Sequence, residues 1–313
     1  MPTNLFTQTF RLMKRFIFRT LLFISIIAIA DIFLGSMFSF MLSHANGGNN
    51  GRINYICDQT NEEMLIFGSS RADHHYNPQI LMDSLNMTVY NCGEDGNGII
   101  LNYGRLLMIK QRYLPKVIIY EVTNSFDLEV NDNHKYIGKL KPYYNRDGIQ
   151  DIFVSVDKTE RWKMMSQLYK YNSSFLTVIA DYLHPIRSMG FQGFRPLQGE
   201  MDSLKISTPK GEKPKVEFDS LKLGYIEMFI NSCKDVKLIF AFSPIWYGLD
   251  TERLKPVIDI CQEHGIPFID FSNDPKYVHN NVYFKDGSHL NARGADEFTR
   301  DLIRELKNRG IMN

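Results

Sequence analysis

Near the C-terminus an aspartate stands three residues before a histidine, in Asp286-Gly-Ser-His289. Far upstream a serine ends the apolar run Met64-Leu-Ile-Phe-Gly-Ser-Ser70. Serine, histidine and aspartate are the residue types that acyl transfer needs: a nucleophile, a base for its proton and a carboxylate that orients the base. In this reading Ser70 attacks an ester carbonyl, His289 Nε2 removes the hydroxyl proton, and Asp286 holds the ring through Nδ1–H. A serine at a tight strand-to-helix turn also turns its own N–H toward the developing oxyanion. Neither half is specific by itself. Gly-Ser-Ser also occurs in phosphate-binding loops, and Asp-Gly-Ser-His alone is first a surface turn ahead of a helix.

Three further segments carry candidate groups. Gly93-Glu-Asp-Gly-Asn-Gly98 either needs positive φ for a turn or offers the Gly96 backbone N–H to the oxyanion. Glu121-Val-Thr-Asn124 ends in an ordinary strand-end turn or in an oxyanion donor, the side-chain amide of Asn124. Arg71-Ala-Asp-His-His75 follows the serine directly. There Arg71 or His75 contacts substrate, or the cluster braces its loop. Adjacent residues in a turn rarely converge on one ion, so Asp73, His74 and His75 are not read as a metal site, and no cofactor is expected. Trp246, after Ser243-Pro-Ile, lines a pocket or belongs to the core.

These loops need a frame that brings their tips together. Met64–Phe67, Thr88–Asn91, Val117–Tyr120, Val236–Phe242 and Pro267–Phe271 read as buried strands. Helical spacing lies between or after them over Gln79–Leu85, Ile99–Arg112, Leu221–Cys233, Thr251–His264 and Ala292–Lys307. Asn291 is placed to cap the last helix, whose Phe298, Leu302 and Leu306 share one face. The alternation predicts a three-layer α/β fold, a mainly parallel sheet flanked by helices in a flavodoxin-like arrangement. Chemistry in such sheets gathers at the carboxyl ends of the strands, where every motif above falls. Over residues 126–220 the rhythm breaks. A helical region at Lys158–Tyr182, rich in aromatics, and a low-order stretch over 192–215 read as an insertion that caps the site or binds a partner. Its aromatics stack on sugar rings or form a small core of their own.

The chain has 313 residues, 44% of them hydrophobic, with a net charge of +1. That suits a packed domain and gives no field for nucleic acid. Thr20–Phe40 is apolar enough for a transmembrane helix. Asp31 within it costs about 3 kcal/mol, and a dozen Leu, Ile and Phe at roughly −0.5 kcal/mol each outweigh that. Asp31 either snorkels toward an interface or contacts a membrane partner. Arg11, Lys14, Arg15 and Arg19 precede the span and place the N-terminus in the cytoplasm. A signal peptide cut near Ser43-His44-Ala45 is the competing reading, but the run exceeds a signal core. The expected organisation is a tail and anchor over 1–44, a flexible linker over 45–62 and the α/β domain over 63–313. The four cysteines show no metal spacing and read as buried thiols rather than bridges.

Phe67-Gly-Ser-Ser70, Asn91-Cys-Gly-Glu-Asp-Gly96, Glu121-Val-Thr-Asn124 and Asp286-Gly-Ser-His289 occur in an order that resembles the four blocks of the SGNH (GDSL-like) hydrolase superfamily. The first block has Gly-Ser-Ser where many members have Gly-Asp-Ser, and the third departs from Gly-Asn-Asp. With the preceding anchor, the chain is similar to the branch holding the teichoic-acid D-alanylation and alginate O-acetylation proteins. The resemblance implies a single-pass protein of a bacterial inner membrane with its domain on the periplasmic side. It also implies a serine esterase or O-acyltransferase acting on an acyl-ester or cell-envelope glycan beside a membrane-bound O-acyltransferase. The alternative is a non-catalytic scaffold or carbohydrate-binding partner in an envelope-modification complex.

Overall fold

The computed structural model describes residues 3–184, 189–202 and 216–312. Of the low-order stretch expected over 192–215, residues 203–215 lie outside the described residues. Five short apolar runs form one parallel sheet: β1 (Met64–Gly68), β2 (Val89–Asn91), β3 (Val117–Glu121), β4 (Lys237–Phe242) and β5 (Phe268–Asp270), in the order β2-β1-β3-β4-β5. The register sets Gly68 beside Glu121 and Glu121 beside Ala241, so the carboxyl ends of β1, β3 and β4 are level. Between β1 and β3 the chain reverses its direction of travel across the sheet. Parallel sheets open a crevice at that reversal, and the Gly68–Ser70 turn stands on it.

Strand residues alternate between two cores, as the period of two requires. Leu65, Phe67, Ile118, Tyr120, Leu238 and Phe240 face α2 (Gly48–Asp58), α5 (Ile99–Lys110), α11 (Ser220–Ser232) and α12 (Lys255–Glu263). Met64, Ile66, Ile119 and Ile239 face α3 (Ser70–His75), α4 (Pro78–Leu85) and α13 (Ala292–Asn308). Each fully buried Leu, Ile or Phe contributes about 1.5–3 kcal/mol, so the two-sided sheet makes the base of the site rigid. In α13 the Asn291 side chain accepts from Gly294 N, and Phe298, Leu302 and Leu306 are buried, as the sequence predicts. All four cysteines are free and buried.

Two segments differ from expectation. Residues 48–58, whose Gly and Asn content suggests a flexible linker, are helical as α2. Tertiary contacts compensate the weak propensity: Asp181 accepts from the N–H and the side chain of Asn50, and Asn54 donates to the carbonyls of Leu42 and Ala45. The region Lys158–Tyr182 is not one helix. It divides into α9 (Glu160–Lys163), a single 3-10 turn (Leu168–Tyr171) and α10 (Phe175–Leu183); before these come the short helices α6 (Asn124–Asp127), α7 (His134–Ile137) and α8 (Ile149–Val156).

The first helix, α1 (Thr3–Ser43), is long and apolar enough to cross a membrane. At about 1.5 Å per residue it is some 60 Å long. Its last third packs on the chain's own insertion, where Phe38 and Leu42 meet Tyr171 and Val178. Asp31 accepts from Ser166 Oγ (2.5 Å), Gln167 N (2.8 Å) and Leu168 N (3.1 Å). Its partner is therefore within this chain. Replacing Asp31 with alanine strips three donors of their acceptor and is expected to speed hydrogen exchange at the 167 and 168 amides severalfold in the detergent-solubilised chain.

Candidate active site

Gly68 ends β1 with φ +143, and a Cβ there would lie 2.5 Å from the Glu121 carbonyl oxygen. Only glycine fits this turn, which lifts Ser70 to the start of α3. Gly68→Ala is expected to lose about 2–3 kcal/mol in urea unfolding, from strain and the clash together.

The six residues of α3 present two faces. Arg71 and His75, one turn apart, point down. The Arg71 guanidinium lies 3.8 Å over the Phe242 ring, 3.0 Å from Glu121 Oε1 and in hydrogen-bond contact with the Val122 carbonyl. His75 is fully buried: Leu290 N donates to its Nε2 at 2.9 Å, so its Nδ1–H donates to Ser243 Oγ at 2.8 Å. Ser243 Oγ donates on to Glu121 Oε1 at 2.8 Å. Burial, then the nearby His289 and Arg71, hold the His75 pKa well below the ordinary imidazole value, consistent with this neutral tautomer. These contacts fit the bracing alternative for Arg71 and His75. Both lie beneath Ser70, because the i, i+4 spacing puts them opposite the exposed side of the helix.

Glu121 is the hub of that support. Besides Arg71 and Ser243 Oγ it accepts from Tyr76 OH and from Ser243 N (3.0 and 3.1 Å). Burial raises its pKa against the opposing pull of Arg71, Tyr76 and Ser243. None of the motif spacings points to it. The available signal was a carboxylate at the end of an otherwise apolar strand, where an unpaired charge is rare.

Ser70 and His74 occupy the upper side. Ser70 Oγ is 2.8 Å from His289 Nε2, and His289 Nδ1 is 3.0 Å from both oxygens of Asp286. The structure brings these three together in the order Ser–His–Asp. The loop is self-locked, since Asp286 Oδ1 also accepts from Ser288 N (2.8 Å) and His289 N (2.9 Å), and Lys285 N donates to His289 O. Burial alone would raise the Asp286 pKa. Hydrogen bonds from His289 and Ser288 outweigh it and hold the carboxyl below its usual value. A carboxylate on Nδ1–H leaves Nε2 as the acceptor for the Ser70 hydroxyl proton. Trp246 braces this loop: its N donates to Gly287 O at 3.0 Å, and its ring N–H donates to Asn281 at 2.7 Å.

Gly96, in the loop after β2, and Asn124, the first residue of α6 after β3, flank the Gly68–Ala72 turn. Gly96 has φ +66 and faces open space. The Asn124 amide donates one N–H to Glu129 at 2.6 Å, and Glu129 is itself paired with Arg253. Asp127 joins the loops, accepting from Tyr120 OH (2.7 Å) and Thr123 N (2.6 Å) and lying against Gly98. Burial pushes its carboxyl up to about 6. A raised folded pKa means that the protonated form favours folding. That contribution is complete below the unfolded value of about 4 and lost as pH climbs through 6. The stability of Asp127→Asn relative to wild type should therefore rise by about 2–3 kcal/mol between pH 4 and pH 8, read by urea unfolding.

On the upper side the ring centroid of His74 lies 5.9 Å from that of His289. His74 Nε2 pairs with Asp95 at 3.0 Å, next to Gly96. Asp73, His74 and Asp95 converge closely enough to suggest an ion. However, Asp73 already pairs with Arg52 at 3.6 Å and with Arg195. Two guanidinium groups there disfavour a cation. The neighbouring Glu94 is buried with Arg105 at 2.6 Å and Arg52 at 3.6 Å. Burial would raise its pKa, but these charges and Lys139 hold it well below the carboxylate range.

Neither a protein-family model nor a curated protein matches the chain. Among solved structures, a Streptococcus pneumonia chain provisionally described as a platelet activating factor is similar at 12% identity and a TM-score of 0.38, over 89% of this chain and 99% of that one.

Proposed function

We propose that the protein is a membrane-anchored serine acyl-ester enzyme of the SGNH type, an esterase or O-acyltransferase. The observation that carries this is the continuous contact Ser70 Oγ–His289 Nε2 and His289 Nδ1–Asp286, at 2.8 and 3.0 Å, above a sheet switch point. Ser70 attacks the ester carbonyl as His289 takes its proton. The Ser70 N–H, the Gly96 N–H and the Asn124 amide receive the oxyanion. His289 returns the proton to the leaving alcohol, and the acyl group passes to water or to a glycan hydroxyl.

The anchor and its flanking cations support a periplasmic site on a bacterial inner membrane, with envelope glycan as acceptor and a membrane-bound O-acyltransferase as neighbour. A periplasmic reporter fused after residue 50 should be active. A fluorophosphonate probe tests the chemistry. It should label the wild type and not Ser70→Ala; an unlabelled, folded wild type that also leaves an aryl acetate intact would favour a non-catalytic scaffold. Asp286→Asn should lower kcat by about 10²–10⁴, through the wrong His289 tautomer.

A further inference from the structure

We propose that the insertion dips into the far leaflet of the bilayer beside α1, so that the chain is held by a span and by an embedded apolar edge. This rests on α1 being a membrane span. The argument begins with depth. The cations Arg11, Lys14, Arg15 and Arg19 mark one edge of the span. Counting from Arg19, a hydrocarbon core of about 30 Å ends near Phe40 at about 1.5 Å per residue. Asp31 then lies roughly 13 Å inside the far edge. Ser166, Gln167 and Leu168 donate to Asp31 and so share its depth. Gly35 confirms a close approach, since a Cβ there would stand 2.3 Å from Gln167 Cβ. Sliding the helix until Asp31 reached water would draw Lys14, Arg15 and Arg19 into the core, a worse exchange.

The segment carries what that depth demands. Its N–H groups at 167 and 168 are satisfied by Asp31, as lipid requires. On the insertion Trp162, Met165 and Leu176 are 63%, 70% and 82% exposed, and on α1 Phe33 and Phe40 are 68% and 54% exposed. Phe175 packs on Phe38, at a ring-centroid distance of 4.9 Å, which sets Leu176 near the interface. Arg161 lies 4.8 Å over the Trp162 ring, the pairing of cation and amphipathic aromatic suited to a headgroup boundary. Lipid is the occupant that this geometry favours, because Asp31 and Phe38 of the span itself hold the segment that carries these side chains.

The full chain reconstituted in phosphatidylcholine vesicles tests this. Trp162 and Trp246 are the two tryptophans, so Trp246→Phe leaves Trp162 as the sole reporter. Acyl-chain-brominated lipid should lower its emission by about twofold or more, with a blue-shifted maximum. Undiminished, red-shifted emission from protein that floats with the vesicles overturns the inference and leaves the anchor intact. Protein that does not float overturns the anchor, and the inference with it. Should Trp246→Phe not fold, Leu176→Cys with a spin label gives a second reading, because the four native cysteines are buried. The label should be more accessible to oxygen than to a water-soluble nickel chelate. The reverse ratio, or shielding from both by a protein in native membranes, counts against lipid.

Discussion

Ser70→Ala is expected to lower kcat for an aryl acetate by about 10⁴–10⁶ while leaving urea unfolding within about 0.5 kcal/mol of wild type. The change removes one oxygen at the mouth of the site. It touches neither the Arg71–Glu121 pair nor the sheet beneath. What stays is the polar loops of Gly96 and Asn124, to which the proposed mechanism leaves a small residual rate but no acyl-enzyme. The useful comparison is with His289→Ala. If the two act as one unit, each single change costs nearly as much as both together. Independent, additive losses in the double variant would mean that the 2.8 Å contact between them is not used in the reaction.

Glu121→Gln should have the largest effect on stability, a loss of about 3–5 kcal/mol in urea unfolding, with most of the activity. Everything around Glu121 donates: Arg71, Tyr76 OH, Ser243 N and Ser243 Oγ. A glutamine amide turns two hydrogens toward those donors and leaves the Arg71 guanidinium buried without a counter-charge. Removing both charges separates the causes. Arg71→Met combined with Glu121→Gln should recover at least half of the lost stability, since a buried ion pair contributes little over an apolar replacement. Activity should stay low, because α3 then lacks the grip that positions Ser70. If the double variant is no more stable than Glu121→Gln, the hydrogen bonds of Tyr76 and Ser243 carry the effect instead.

How far the sequence reveals this site depends on how local each signal is. The five strands are contiguous apolar runs, and Ser70, Asp286 and His289 announce themselves by short spacings at strand and helix ends. Arg71 and His75 stay ambiguous in the sequence for a geometric reason. Their chemistry suggests a ligand, but which side of α3 they occupy is fixed by Glu121, Ser243 and Leu290, which come from three distant segments. Helix α2 hides behind glycines and asparagines because Asp181 and the carbonyls of Leu42 and Ala45, not its own propensities, hold it. The partner of Asp31 lies more than a hundred residues away, and no pattern near either end points to the other.

The helical state of residues 48–58 changes what the anchor can do. A Gly- and Asn-rich tether would let the site sweep a volume, diluting it against anything fixed in the membrane. Here four residues separate α1 from α2, and Asp181 ties α2 to the insertion that Asp31 already clasps. For a chain mounted in a bilayer by α1, Ser70 then moves in a plane at one height and turns only about the membrane normal. Its effective concentration toward a partner at that same height is high, and toward acyl groups further out along a polymer it falls to nearly nothing. Under the proposed function, substrate would have to be brought to that plane, so the length of the mount would help to select which acyl groups Ser70 reaches.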